Sequence, residues 1–357
     1  MTTIVVDDED NKVFHHAEKK KTNNGNGNGV PDDDDTIEKI KTNYVKTVNE
    51  FRVYDNINEE EGGSRTPSRV IEHYKDMRSY QTLDFYKRME KRYDFSNGQY
   101  RCLMTIEEAF TELEHYVDAS DPDLVDLPNI LHLLQTAEGI RRAGHPDWFQ
   151  LTGLIHDMGK IMFLWGSDQN IGQDGYTSNG KQWALGGDTF VVGCKIPSSS
   201  DSGVVFPEFN ILNPDMNHPI LSTKYGIYEP NCGLDELKFA WGHDEYMYRM
   251  LLANNTLLPK EGLDMIRYHS AYPFHNNNVN EKNHNNNNNN PYQHLLKEDD
   301  YERLEWVRLF NKFDLYTKDN ESSVSNNNND LRGLTDDLLP YYRELLKKYG
   351  LDGKLKW

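Results

Sequence analysis

Apolar residues recur along most of this chain at intervals of three and four, the period of a helix with one buried face. The segment TIEEAFTELEHYV opens on Thr105 with Glu108 three residues on, a capping box ahead of an amphipathic run. In PNILHLLQTAEGIRRAG, Pro128 suits a first helical turn and Gly144 a C-terminal cap. DWFQLTGLIHDMGKIMFLW, LKFAWGHDEYMYRMLLAN, LDMIRYHSAY, DDYERLEWVRLFNKFDLYTK and DLLPYYRELLKKYG continue the helical pattern. Only residues 183–206, WALGGDTFVVGCKIPSSSDSGVVF, read as short strands and turns. The pattern predicts an all-α chain, mainly a helical bundle, with a small β element around 183–206.

Stretches without that rhythm mark the organisation. Residues 1–48 hold HHAEKKK, NNGNGNG and DDDD with almost no apolar periodicity, so they cannot bury enough surface to offset ordering and read as a disordered tail. Residues 49–357 then form one domain with low-complexity loop insertions near 166–182, 275–290 and 322–330. Asn runs of this kind swell surface loops more often than they carry function.

Composition narrows the function classes. The 58 acidic residues against 39 basic give a formal charge of -19, which argues against a nucleic-acid or anionic-membrane surface. The three cysteines, Cys102, Cys194 and Cys232, form no CxxC pair, so neither a disulfide framework nor a thiolate metal site is expected. The start MTTIVVDDEDNK has no apolar segment of signal-peptide length, and no run approaches a membrane span. A cytoplasmic protein is the expectation.

The informative residues are polar groups on apolar faces. His132 lies within ILHLLQTA, and His156 and Asp157 interrupt GLIHDMGKIMF. His243 and Asp244 stand between FAWG and EYMYRMLL; His269 follows Met265 and Ile266 at helical spacing; Asp314 follows Val307 and Phe310. A single such histidine is most simply a core residue bonded to a backbone carbonyl. Asp244 has an equally plain reading as a neighbour of His243. Several together on at least four helices are costly, at about 1–3 kcal/mol for each unsatisfied group and more for a carboxylate. Converging them on cations removes that cost. Imidazole and carboxylate donors without thiolate suit iron, manganese or zinc. Asp157 has two oxygens and so can join two metals.

An adjacent His-Asp pair with an earlier His and a late Asp resembles the HD-domain superfamily, matched here by His132, His156-Asp157 and Asp314. The longer motifs LPNILHLLQTAEGIR, LTGLIHDMGK, GDTFVVGC, STKYGIY, CGLDELKFAWGHDEYMY, MIRYHSAYPFH, NKFDLYTK and PYYRELLKKY are similar to those of the myo-inositol oxygenases. That likeness runs from FRVY at 51 to Trp357, broken only by the loop tracts. It implies an HD-like helical bundle and a non-haem di-iron oxygenase that cleaves the C1–C6 bond of myo-inositol with O2 to give D-glucuronate. It implies two iron ions per chain, mixed-valence Fe(II)/Fe(III) when active, and no nicotinamide or flavin. One iron would be held by His132, His156, Asp157 and Asp314, the other by His243, His269 and the second oxygen of Asp157. Substrate contacts carry over to Arg52, Asp118, Ser120, Lys160, Gly187, Asp188, His269 and Ser270, with Lys160 and Asp157 in catalytic roles. This chain departs from the family in DPDLVDLPN, one residue longer before His132, and in a longer 166–182 loop. The resemblance implies a monomer. An HD-type phosphohydrolase, or a non-catalytic binding protein on the same fold, is the alternative reading.

Overall fold

The structure, a computed structural model, describes residues 68–114, 116, 118, 120, 129–165, 181–198, 203–274, 290–314 and 328–357. The expected tail, the loop residues 166–180, 275–289 and 322–327, and the residues Arg52 and Pro128 lie outside the described residues.

Helices dominate. In chain order they are α1 (Ser68–Tyr80), α2 (Leu83–Arg92), α3 (Ile106–Leu113), α4 (Asn129–Arg142), α5 (Asp147–Ile155), α6 (His243–Ala253), α7 (Lys260–Tyr268), α8 (Asp300–Asp314) and α9 (Asn328–Lys348). The predicted capping box opens α3: Thr105 Oγ1 accepts the Glu108 N–H at 3.1 Å, and the Glu108 carboxylate accepts the Thr105 N–H at 2.7 Å. Gly144, at φ 76°, follows the end of α4 as its sequence position implies.

Three features differ from the pattern read along the chain. First, α1 and α2 are helices that the apolar periodicity did not single out. Second, the run from Asp147 to Trp165 is not one helix. It ends as α-helix at Ile155, turns at His156–Asp157, and resumes as a tighter 3-10 helix, Met158–Trp165, in which the Lys160 N–H bonds the Asp157 carbonyl at 3.0 Å. Third, the small β content lies mostly elsewhere. Strands β1 (Leu103–Met104) and β2 (Leu355–Lys356) pair antiparallel, while 183–206 contributes one bridge, Val191 to Phe239. Gly186, Gly187, Gly193 and Pro197 break up that segment.

The described residues belong to a single compact unit. At its centre, α4 packs on α5, α5 on α7, α7 on α8, and α8 back on α4. Each of the four contributes one fully buried side chain to their junction: Ile140, Phe149, Met265 and Phe310. Helices α6 and α7 are pinned by a buried carboxylate, since Glu245 accepts Arg267 Nε and Arg249 Nε, both at 2.7 Å. None of the described helices is long and apolar enough to cross a membrane.

Gly159, inside the 3-10 helix, fixes how close that segment lies to α6. A Cβ there would overlap the His243 carbonyl oxygen, which is backbone and cannot swing aside. Gly159→Ala is therefore expected to cost about 1–3 kcal/mol, as other overpacked positions do. Urea unfolding of the purified variant checks it; an unchanged midpoint would contradict this packing.

Candidate metal centre

Five segments bring six side chains of ligand type to one buried place. His132 comes from α4, His156 and Asp157 from the turn after α5, His243 from the first turn of α6, His269 from the residue after α7, and Asp314 from the end of α8. None is more than 3% exposed. The two oxygens of Asp157 face different partners. Oδ1 lies 2.9 Å from His243 Nε2 and 3.4 Å from His269 Nε2. Oδ2 lies 3.8 Å from His132 Nε2 and 3.7 Å from His156 Nε2. Asp314 Oδ1 stands 2.9 Å from His132 Nε2 and 3.2 Å from His156 Nε2.

Backbone carbonyls decide what these imidazoles offer. His156 Nδ1 lies 2.8 Å from Gly153 O, His243 Nδ1 2.6 Å from Leu185 O, and His269 Nδ1 2.9 Å from Ile266 O. A carbonyl oxygen only accepts, so each Nδ1 carries the hydrogen and each Nε2 turns its other face to the cluster. His156 Nε2 meets no partner in good hydrogen-bond geometry, although Asp314 Oδ1 is 3.2 Å away. His243 Nε2 and His269 Nε2 stand 3.0 Å apart. Nitrogen lone pairs this close to each other and to carboxylates repel unless a proton or a metal cation lies between them.

The titration behaviour points the same way. Burial is the largest influence on His156 and lowers its pKa, which favours the neutral, ligand form. Burial alone would raise Asp157 and Asp314. For Asp157 the Lys160 charge with His156 and His243 outweighs it, and for Asp314 His132 and His156 do, so both carboxyls sit well below the usual range. At His269 burial is overcome by Asp157, Asp314 and Asp244, and its pKa rises. A field that draws a proton to His269 draws a divalent cation more strongly.

The donor set therefore fits a metal. Two triads have ligand atoms within 4.8 Å of one another, His132/His156/Asp314 and His156/Asp157/His269. His156 falls in both, but with Nδ1 committed to Gly153 it has one free lone pair and can serve one cation. Imidazole nitrogen with carboxylate oxygen and no thiolate suits iron, manganese or zinc.

Lys160 joins this cluster to a second group of polar residues. Its Nζ lies 2.7 Å from Asp157 Oδ2 and 2.7 Å from Asp118 Oδ2. Burial opposes the charge, but Asp118 and Asp157 outweigh it and raise the Lys160 pKa. Asp118 Oδ1 accepts the Ser120 N–H at 2.8 Å and the Ser120 hydroxyl at 2.6 Å. Beyond them, the Asp188 N–H points to the Tyr74 hydroxyl at 3.4 Å, and the Thr189 N–H bonds Ser270 O at 2.9 Å, tying the Gly187–Asp188 turn to the residue after His269. Asp244 is buried, with Oδ1 accepting the Glu245 N–H. Sequence reasoning missed Asn129, whose Oδ1 is 3.5 Å from Lys160 Nζ. It also missed His73, buried on α1 beside Gly187. The signal for His73 was the one used elsewhere, a histidine on an apolar face, with Val70, Tyr74 and Met77 at helical spacing.

Residues 67–357 match the family model described as myo-inositol oxygenase. The chain belongs to the myo-inositol oxygenase family. Among curated relatives, the inositol oxygenase of Danio rerio is 44% identical over 292 residues, 81% of this chain and 89% of that protein. The inositol oxygenase of Mus musculus is 44% identical over the same share of this chain and 87% of its own. That of Dictyostelium discoideum is 39% identical over 324 residues, 89% of this chain and 94% of its own. All six ligand-type residues lie inside the stretch that matches the myo-inositol oxygenase family.

A metal that binds only the folded chain stabilises it by mass action, about 4 kcal/mol at a thousandfold excess over Kd. Stripping the purified protein with a chelator should therefore lower its melting temperature, and adding Fe(II) back anaerobically should restore it. A melting temperature indifferent to both treatments would remove the metal from this site.

Proposed function

We propose that this chain, like the relatives named inositol oxygenase, opens the ring of myo-inositol at the C1–C6 bond with O2 to give D-glucuronate. The observation that carries the reading is the convergence of six buried imidazole and carboxylate groups, three of the imidazoles with Nδ1 turned to a backbone carbonyl, in a member of this family. We assign one iron to His132, His156, Asp157 and Asp314, and a second to His243, His269 and the other oxygen of Asp157, mixed-valence when active. Support for two ions comes from Asp157, whose Oδ1 faces His243 and His269 while Oδ2 faces His132 and His156. The working unit is one chain, because one chain supplies every ligand group. Three free cysteines suit a reducing compartment such as the cytoplasm.

The substrate is a neutral polyol whose ring carbon–carbon bond is unactivated, and no side chain here is an oxidant. Bound iron would supply the redox chemistry, with all four electrons for O2 coming from the polyol, so no nicotinamide or flavin enters. The protein's own residues bind, orient and keep water out. Lys160 keeps a positive charge in a buried setting, where it is suited to stabilise negative charge on a substrate oxygen. Asp118, Ser120, Asp188 and Ser270 offer carboxylates and hydroxyls to hydrogen-bond ring hydroxyls, with Arg52 and Gly187 as further contacts. Leu154, Ile155, Met158 and Ile161 are fully buried around the His-Asp turn and exclude solvent.

Anaerobic Fe(II) loading followed by O2 and myo-inositol, scored for glucuronate, tests the activity; no product from fully loaded enzyme overturns it. Lys160→Ala should keep its iron yet lose roughly 100- to 1,000-fold in turnover, as when one oxyanion-stabilising group is removed. Near-normal turnover would end that role. Asp157→Asn should bind fewer than two irons per chain by elemental analysis, and a full complement would argue against the bridge.

A further inference from the structure

Helix α1 presents a histidine that neither the ligand set nor the carried-over substrate contacts include. His73 is 6% exposed, and its Nε2 makes no hydrogen bond of good geometry, although the Gly186 backbone lies within reach of the ring. Two consecutive glycines define where it stands. A Cβ on Gly187 would lie 2.8 Å from His73 Nε2. One residue earlier, a Cβ on Gly186 would lie 2.8 Å from Asp118 Oδ1 and 3.0 Å from Ser120 Oγ. The same short piece of backbone is therefore flanked by His73 and by the Asp118–Ser120 pair, with no side chain of its own between them. From Asp118 the chain of contacts continues through Lys160 to Asp157.

We propose that His73 is a substrate-binding, specificity-determining residue whose Nε2 hydrogen-bonds one hydroxyl of the polyol. The inference rests on the reading of Asp118, Ser120, Lys160, Gly187 and Asp188 as the polyol pocket. Buried polar atoms are nearly always well paired, and one without a well-aligned partner beside other hydroxyl-binding groups is the arrangement of a site whose ligand completes the bonding. Burial, the largest influence, lowers the His73 pKa against the pull of Asp118 and the Gly186 backbone, which favours the neutral ring. A neutral imidazole suits a neutral hydroxyl, which can donate or accept as the tautomer requires. A phosphate or carboxylate would find no cation in it.

The test compares wild type, His73→Leu and His73→Gln, all iron-loaded, on myo-inositol and on monodeoxy-inositols that each lack one hydroxyl. One lost hydrogen bond corresponds to roughly a 3- to 10-fold fall in kcat/KM. We expect that fall for His73→Leu on myo-inositol, carried mainly by KM, with iron content and melting temperature near wild type. On a single deoxy analogue the two proteins should be equal, because the hydroxyl that His73 meets is gone. His73→Gln should recover part of the loss on myo-inositol. A uniform loss across all analogues, or no loss on myo-inositol, overturns the proposal. Should His73→Leu fold poorly, the same comparison with His73→Gln decides it, an equal loss on every analogue counting against. Wild-type enzyme giving no glucuronate would instead defeat the underlying reading. Calorimetric binding of myo-inositol under anaerobic conditions would then still decide His73, equal affinity of wild type and variant being the adverse result.

Discussion

Three hydrogen bonds from histidine Nδ1 to a backbone carbonyl are what the rest of this site depends on. Two share a construction. Helix α5 ends at Ile155 and α7 at Tyr268, and in each case the next residue is a histidine that bonds the carbonyl three positions back, Gly153 or Ile266. Carbonyls in a last helical turn lack intrahelical partners. One interaction thus finishes the helix and aims Nε2 into the cluster. His243 opens its helix instead, so it must borrow a carbonyl from elsewhere. It takes Leu185 O with both its Nδ1 and its backbone N–H, at 2.6 and 3.0 Å. That double contact draws the 183–187 turn against α6, and the turn runs straight on into Gly187 and Asp188.

Rigidity behind these bonds comes from the ring of α4, α5, α7 and α8. Phe310, at the junction of all four, sets its ring edge-on to His156 at 5.1 Å and to His269 at 6.1 Å between centroids. Asn311, next along α8, donates to the His269 carbonyl at 3.0 Å. Helix α8 therefore supplies a ligand-type carboxylate, buttresses two imidazoles and braces the backbone of one of them. Neighbours that orient ligands in this way govern metal affinity nearly as much as the ligands do.

Much of this was legible in the sequence, for a physical reason. Helix periodicity is imposed by burial, and a ligand residue must violate it, so His132, His156, His269 and Asp314 stand out against their apolar stripes. The capping box at Thr105 and the glycine stop at Gly144 are local and were equally plain. What escaped was non-local or masked by composition. The β1–β2 pair joins two dipeptides, Leu103–Met104 and Leu355–Lys356, too short for any alternation to register. Helix α1, SRVIEHYKDMRSY, buries its face through His73, Tyr74 and Arg78 as well as Val70 and Met77, so a purely apolar count undervalues it. The break at His156–Asp157 contains neither glycine nor proline, so no local stop signal marks it in the sequence. Asp118 was available only through resemblance, because its link to Lys160 crosses more than forty positions of chain, a separation no spacing rule reaches.

Charge accounting joins the two halves of the site. Asp118, Asp157 and Asp314 are held ionised and Lys160 is held protonated, each against the effect of burial. Three negative charges and one positive leave two negative charges in a dry interior, and the upward push on the His269 pKa shows the pull of that field on a cation. Isolated burial of that charge would be prohibitive. Lys160 alone cannot close the gap, because it is already shared between Asp118 and Asp157. A cation that offsets the rest, a proton on His269 or a metal ion, sits where Nε2 atoms and carboxylate oxygens converge. Asp157 is then the hinge of the arrangement: the same carboxylate that would hold a metal also fixes the lysine that reaches Asp118. Neither half can be altered without shifting the other.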